Sequence, residues 1–150
     1  MGRSGRAVGR FGAVVVTAAT VAGVSGFASG ASAEAPHTGT SAKPTAVVKE
    51  VTRGSFGEIL VTKKGSRALY IDTQPPCTGA CLGAWPPLLM PTGKTIPAGA
   101  PGLGTTAFGS GQLQVTDDGM PLYTFSSDTK KSVDGNAVAG FFVVRVSSSA

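Results

Sequence analysis

The side chains on which this 150-residue chain could build chemistry are few: scattered carboxylates, two cysteines and a handful of aromatic rings. Hydrolysis needs a nucleophile beside a base, or two facing carboxylates. The chain has one histidine, His37, and it lies in Glu34-Ala-Pro-His-Thr-Gly-Thr-Ser-Ala-Lys-Pro-Thr-Ala46, a stretch with no large apolar residue to bury. That leaves Ser-His and Cys-His arrangements without a base in any folded part. The remaining acids are Glu50, Glu58, Asp72, Asp117, Asp118, Asp128 and Asp134. Asp117-Asp118 stands before Gly119, where aspartate serves a tight turn by bonding to its backbone. Gly102-Leu-Gly104 and Gly109-Ser-Gly111 lack the spacing and the following helix of a phosphate or dinucleotide loop. The expectation is a protein that is not an enzyme, with no catalytic residue and no cofactor.

Cys77 and Cys81 are the only cysteines. Three residues separate them, where a redox pair more usually has two, and no histidine stands near to complete a metal site. In an exported protein the default is a structural disulfide. The competing reading is a metal-binding or electron-transfer accessory protein, with reduced Cys77 and Cys81 joined by Met90 and Met120 as soft copper(I) ligands.

Tyr123, Phe125 and Asp128 form the best binding candidate. Alternate strand residues share one face, which puts Tyr123 beside Phe125, and Asp128 follows just past the strand. Two roles are open. In one, both rings are core packing, with Asp128 capping the next loop through backbone amides. Alternatively they form an aromatic shelf with a carboxylate at its lip, suited to a cationic or sugar-like ligand. Trp85 has the same two readings, core or groove wall.

The elements that position these groups start after a targeting segment. Arg3, Arg6 and Arg10 precede the apolar run Phe11–Ala22, and Ala31-Ser32-Ala33 offers the small residues of a cleavage site, so residues 1–33 read as a signal peptide. Gly23, Ser25, Gly26 and Gly30 interrupt the run before it reaches the ~20 apolar residues of a membrane span. No stable membrane anchor is expected after cleavage, and the protein should be secreted. The remaining 117 residues suffice for one small domain. Setting the three signal arginines aside leaves 10 basic residues against 8 acidic, a net charge of +2. The basic residues are scattered, unlike the clustered face of a nucleic-acid binder. The expected partner is an envelope component or a small molecule, and not nucleic acid.

Residues 34–46 read as a flexible linker, 47–146 as the domain and 147–150 as a frayed end. Gly57–Thr62 is rich in β-branched residues and reads as a strand, Lys63–Ser66 as a turn, and Ala68–Asp72 as the partner strand. Thr78–Trp85 has room for a turn or two of helix, which Pro86-Pro87 must end. Met90–Pro101 reads as surface loop. Strands follow at Leu103–Phe108, Gln112–Thr116 and Leu122–Phe125. Val138–Val146 is nearly continuous apolar sequence and suits a central strand buried on both faces. Two segments share one pattern: Leu60-Val-Thr-Lys-Lys-Gly-Ser-Arg-Ala-Leu-Tyr70 and Gln114-Val-Thr-Asp-Asp-Gly-Met-Pro-Leu-Tyr123. The fold expected is all-β: one small domain of two related β-hairpin repeats, with a short, helical, disulfide-pinned insert between them.

Phe56 to Val146 resembles a bacterial secreted-repeat family whose signature is Tyr-x-aromatic-x-x-Asp and whose members are often lipoproteins. Cys77-x-x-x-Cys81 with Trp85-Pro-Pro-Leu88 is similar to its middle element. Tyr123-Thr-Phe125-Ser-Ser-Asp128 carries the full signature, and Gly140-Phe-Phe-Val-Val144 resembles the closing strand. The resemblance implies an exported protein and a fold region, and no biochemical activity. The first copy departs from the signature, with Asp72 at the aromatic position and Pro75 at the acidic one. Tyrosine, aromatic ring and aspartate are therefore expected to act together only once, at Tyr123, Phe125 and Asp128. No cysteine stands at the cleavage site to carry a lipid.

Overall fold

The computed structural model describes residues 41–74 and 76–147. The expected signal peptide and cleavage point, His37, the first part of the expected linker, Pro75 and the last three residues lie outside that range. Nine strands, one short α-helix and one 3-10 turn (Gly54–Phe56) make up the regular structure of the described part, an all-β domain carrying a Cys77–Cys81 disulfide and a short helical insert.

Strand β1 (Thr45–Ala46) runs parallel to β5 (Pro97–Ala98), so pairing starts within the stretch read as linker. Thr45 N–H donates to Ile96 and Val47 N–H to Ala98, which also gives order to part of the loop expected over Met90–Pro101. Strand β2 (Val48–Thr52) pairs antiparallel with β3 (Glu58–Thr62). The remaining strands are β4 (Tyr70–Asp72), β6 (Leu103–Phe108), β7 (Gln112–Asp117), β8 (Met120–Tyr123) and β9 (Phe141–Val143), which form one sheet in the order β6-β7-β8-β4-β9.

Both copies of the shared pattern fold as antiparallel hairpins, with different turns. In the second, Asp117 pairs with Met120 across Asp118-Gly119, whose φ angles are +46° and +84°. Positive φ at both central residues is the type I′ geometry that follows strand twist, and Asp-Gly is among its preferred sequences. In the first, Thr62 N–H donates to Arg67, leaving a four-residue turn over Lys63–Ser66. Thr62 fills that turn from within: its hydroxyl donates to Lys64 O and accepts from Arg67 N–H.

Side-chain alternation divides the apolar residues between two cores. Ile59, Val61, Tyr70, Tyr123, Phe141 and Val143 face one, with Trp85 and Cys77. Leu60, Leu69, Leu122 and Val144 face the other, with Val48, Met90 and Val115. Adjacent residues such as Leu69-Tyr70 and Leu122-Tyr123 are therefore both apolar, because both faces of the sheet are covered.

The closing run differs from expectation. Only Phe141–Val143 forms a strand, at the end of the sheet beside β4, and Phe142 is 43% exposed. The run is not buried on both faces. Positive φ at Ala137, Ala139 and Gly140 turns the chain just before it, so residues 138–140 cannot extend the strand. Beyond Val143 the chain leaves β4 for β3: Leu60 N–H donates to Val144 O and Val146 N–H to Glu58 O.

The insert joins the sheet directly. Helix α1 (Cys81–Ala84) ends at Trp85, and Pro86–Met90 then runs where β7 and β8 separate. Leu88 N–H donates to Leu122 O, Val115 N–H to Leu88 O and Met90 N–H to Leu113 O. Pro86 and Pro87 have no N–H to satisfy, so the segment needs donor positions only from Leu88 onward.

Candidate functional site

The disulfide closes the turn that leads into α1, and α1 delivers Trp85 into the first core. Trp85 N–H donates to Cys81 O at 2.9 Å, and Ser126 N–H donates to Ala84 O at 2.8 Å, which ties the helix end to the loop after β8. The indole, 3% exposed, stacks on Phe141 with centroids 3.8 Å apart and planes 7° from parallel. It lies tilted against Phe125 at 4.6 Å and meets Tyr70 edge-on at 5.4 Å. Tyr123 meets Phe141 edge-on at 5.4 Å. Gly135 closes the cluster, since a Cβ there would lie 2.8 Å from Trp85 Cη2 and 2.9 Å from Phe125 Cβ.

Of the four residues read as core or shelf, Trp85, Tyr123 and Asp128 are buried and Phe125 is half-buried. Tyr123 and Phe125 do face the same cluster, although β8 ends at Tyr123.

Asp128 is 7% exposed, and both its carboxylate oxygens are engaged. Asp134 N–H donates to Oδ1 at 2.8 Å, which caps the loop. The Tyr70 hydroxyl donates to Oδ2 at 2.6 Å. The tyrosine that answers the signature aspartate thus comes from the other hairpin, a partnership the sequence pattern did not reveal. Tyr70 and Tyr123 are register partners across β4 and β8, so the two hairpin tyrosines stand side by side and only Tyr70 reaches Asp128. Burial, followed by the hydrogen bond to Asp128 and the negative charge of that carboxylate, pushes the Tyr70 phenol well above its ordinary range. The phenol stays protonated and remains the donor in this bond.

Arg67 was also missed. Its Nη2 donates to the carbonyls of Phe125, Ser126 and Asp128 at 2.7, 2.9 and 3.1 Å, and so holds the loop that carries Asp128. Its only sequence signal is a basic residue two places before an apolar Leu-Tyr pair, which many solvated arginines share.

The sulfur groups are dispersed. Cys77 and Cys81 are bonded to each other, Met90 sits in the second core, and Met120 is 40% exposed at the hairpin turn. Among the described residues no three His, Cys, Asp or Glu side chains gather as metal ligands. Asp117 and Asp118 flank Gly102, and burial together with the neighbouring Asp118 charge raises the Asp117 carboxyl above its usual range.

Residues 104–141 match a family described as a secreted repeat of unknown function. The matched segment starts in β6 and ends at Phe141, and so contains the second hairpin, Tyr123, Phe125 and Asp128. No curated protein and no solved structure matches the chain.

Proposed function

We propose that this chain is an exported extracellular module of the cell envelope that works by binding or by structural contact, without catalysing a reaction. The family match supports the exported location, as does the signal-peptide pattern of residues 1–33. The observation that carries the mode of action is the Tyr70–Asp128–Asp134 hydrogen-bond set under the Trp85 cluster. It occupies both oxygens of the one carboxylate buried among the described residues and packs against Trp85 and the signature rings, so the signature residues act as an internal brace. A brace of this kind leaves contact with partners to the exposed surface.

Fractionation of cells expressing the full-length chain tests the location, and cosedimentation with purified envelope tests the mode of action. The protein should appear in the medium or envelope fraction and sediment with envelope material. Retention in the cytosol, or recovery entirely in the supernatant of the envelope spin, would contradict the proposal.

A further inference from the structure

We infer that a cleft between residues 53–56 and 131–133 is a binding site for phosphate-class anions, an inference that deepens the binding reading above and rests on it. The cleft measures about 210 Å³ and is lined by Arg53, Gly54, Ser55, Phe56, Lys131 and Val133. That is the volume of roughly seven waters, suited to one small polar group rather than a large apolar ligand.

Its charge is one-sided. Both titratable residues of the lining are cations, and among the described residues no carboxylate lines the cleft. Arg53 is fixed without being neutralised, because its Nη2 donates to two backbone carbonyls, Ser66 O at 3.0 Å and Lys130 O. Its Nε is buried with no hydrogen-bond partner. A guanidinium held by neutral carbonyls keeps its full charge for an oxyanion, with Nη1 left to donate once Nη2 is engaged.

The backbone of the opposite wall is fixed as well. Thr129 Oγ1 accepts from Lys131 N–H and Ser132 N–H, and Ser132 Oγ accepts from Thr129 N–H. Arg67 clamps the start of the same loop by three carbonyls. A third cation is close at hand, since Arg145 lies over the Phe56 ring at 5.5 Å. An Arg53 side chain held before the ligand arrives spares part of the ordering cost of binding.

Two sources share this chemistry: free phosphate, and the phosphodiester groups of an anionic envelope polymer. The test is an NMR titration of the domain with inorganic phosphate and, separately, with a glycerol-phosphate oligomer. It is run on wild type and on Lys131→Glu, an exposed position whose exchange leaves the packing intact. Saturable shifts of the Gly54, Ser55 and Lys131 amides with either ligand, weakened at least about tenfold in the variant at an unchanged melting temperature, support the site. The tighter of the two ligands identifies the source. Arg53→Lys supplies a second reading, because it keeps the charge but loses the guanidinium and the carbonyl bonds that position it, and it should also weaken binding. Absence of saturable shifts, or shifts unaffected by Lys131→Glu, overturns the inference. Envelope cosedimentation that persists in that case leaves the general binding reading standing, and its loss as well removes both.

Discussion

Replacing Tyr70 by phenylalanine should destabilise the domain far more than the loss of one oxygen atom suggests. The ring keeps its place against Trp85, so packing is preserved, but the hydroxyl 2.6 Å from Asp128 Oδ2 is gone. Asp128 is nearly inaccessible, and water cannot readily replace the donor. Hydrogen bonds to charged groups contribute about 1.5–3 kcal/mol, and a buried acceptor left alone costs at the upper end of that range, so Tyr70→Phe should cost ~2–3 kcal/mol. For a domain of this size that corresponds to a melting temperature lower by roughly 8–16 °C or more. Asp128→Asn should cost ~1–3 kcal/mol, because a neutral amide with one oxygen replaces the charged carboxylate that accepts from both the Tyr70 hydroxyl and the Asp134 N–H. Both single variants lose the charged Tyr70–Asp128 hydrogen bond, and the double variant loses it only once. The two changes should therefore fall short of additivity by ~1 kcal/mol or more, as residues in one hydrogen-bond network do. Urea unfolding followed by Trp85 fluorescence is the assay, since the chain's only tryptophan lies in the cluster under test. A Tyr70→Phe cost below ~0.5 kcal/mol, or strictly additive single variants, would refute the brace.

Three further outcomes follow from the same geometry. Gly135→Ala should cost ~1–3 kcal/mol, as overpacking does, because its methyl would press on Trp85 and Phe125; calorimetry on the variant checks this, and an unchanged midpoint would mean the cluster is looser than described. Replacing Cys77 and Cys81 together should lower stability by about 2 kcal/mol on the chain-entropy model for so short a loop, and thiol titration of the denatured, unreduced wild type should find no free thiol. Asp117 has a raised folded-state pKa, so its proton favours the fold: that contribution is full below the unfolded value of 3.8 and is lost as pH rises through the folded value. Asp117→Asn should accordingly raise the melting temperature at pH 7 and lose its advantage near pH 3, and melts at both values decide it.

Local signals made much of the fold legible. The strand over Leu103–Phe108 has the expected bounds, the Asp118-Gly119 turn has its expected chemistry, and Pro86 ends the helix as proline must. These features depend on neighbours in sequence. What escaped depends on distant partners. Tyr70 and Asp128 are 58 residues apart, and nothing local says which of two similar tyrosines will reach the carboxylate. The insertion of Pro86–Met90 between β7 and β8 follows from the separation of those strands, which alternation does not encode. The closing run misled because continuous apolar sequence suits a central strand, whereas here it serves two different neighbours in succession. Arg67 and Arg53 look like solvated charges until the loops whose carbonyls they hold are folded against them.

The most direct measurement of the central claim is the intact mass of the protein recovered from the medium of cells expressing the full-length chain. An exported module cleaved after Ala33 should give the mass of Glu34–Ala150, lower by two hydrogens for the joined cysteines. A chain found only inside the cells, with Met1–Ala33 still attached, would contradict the claim.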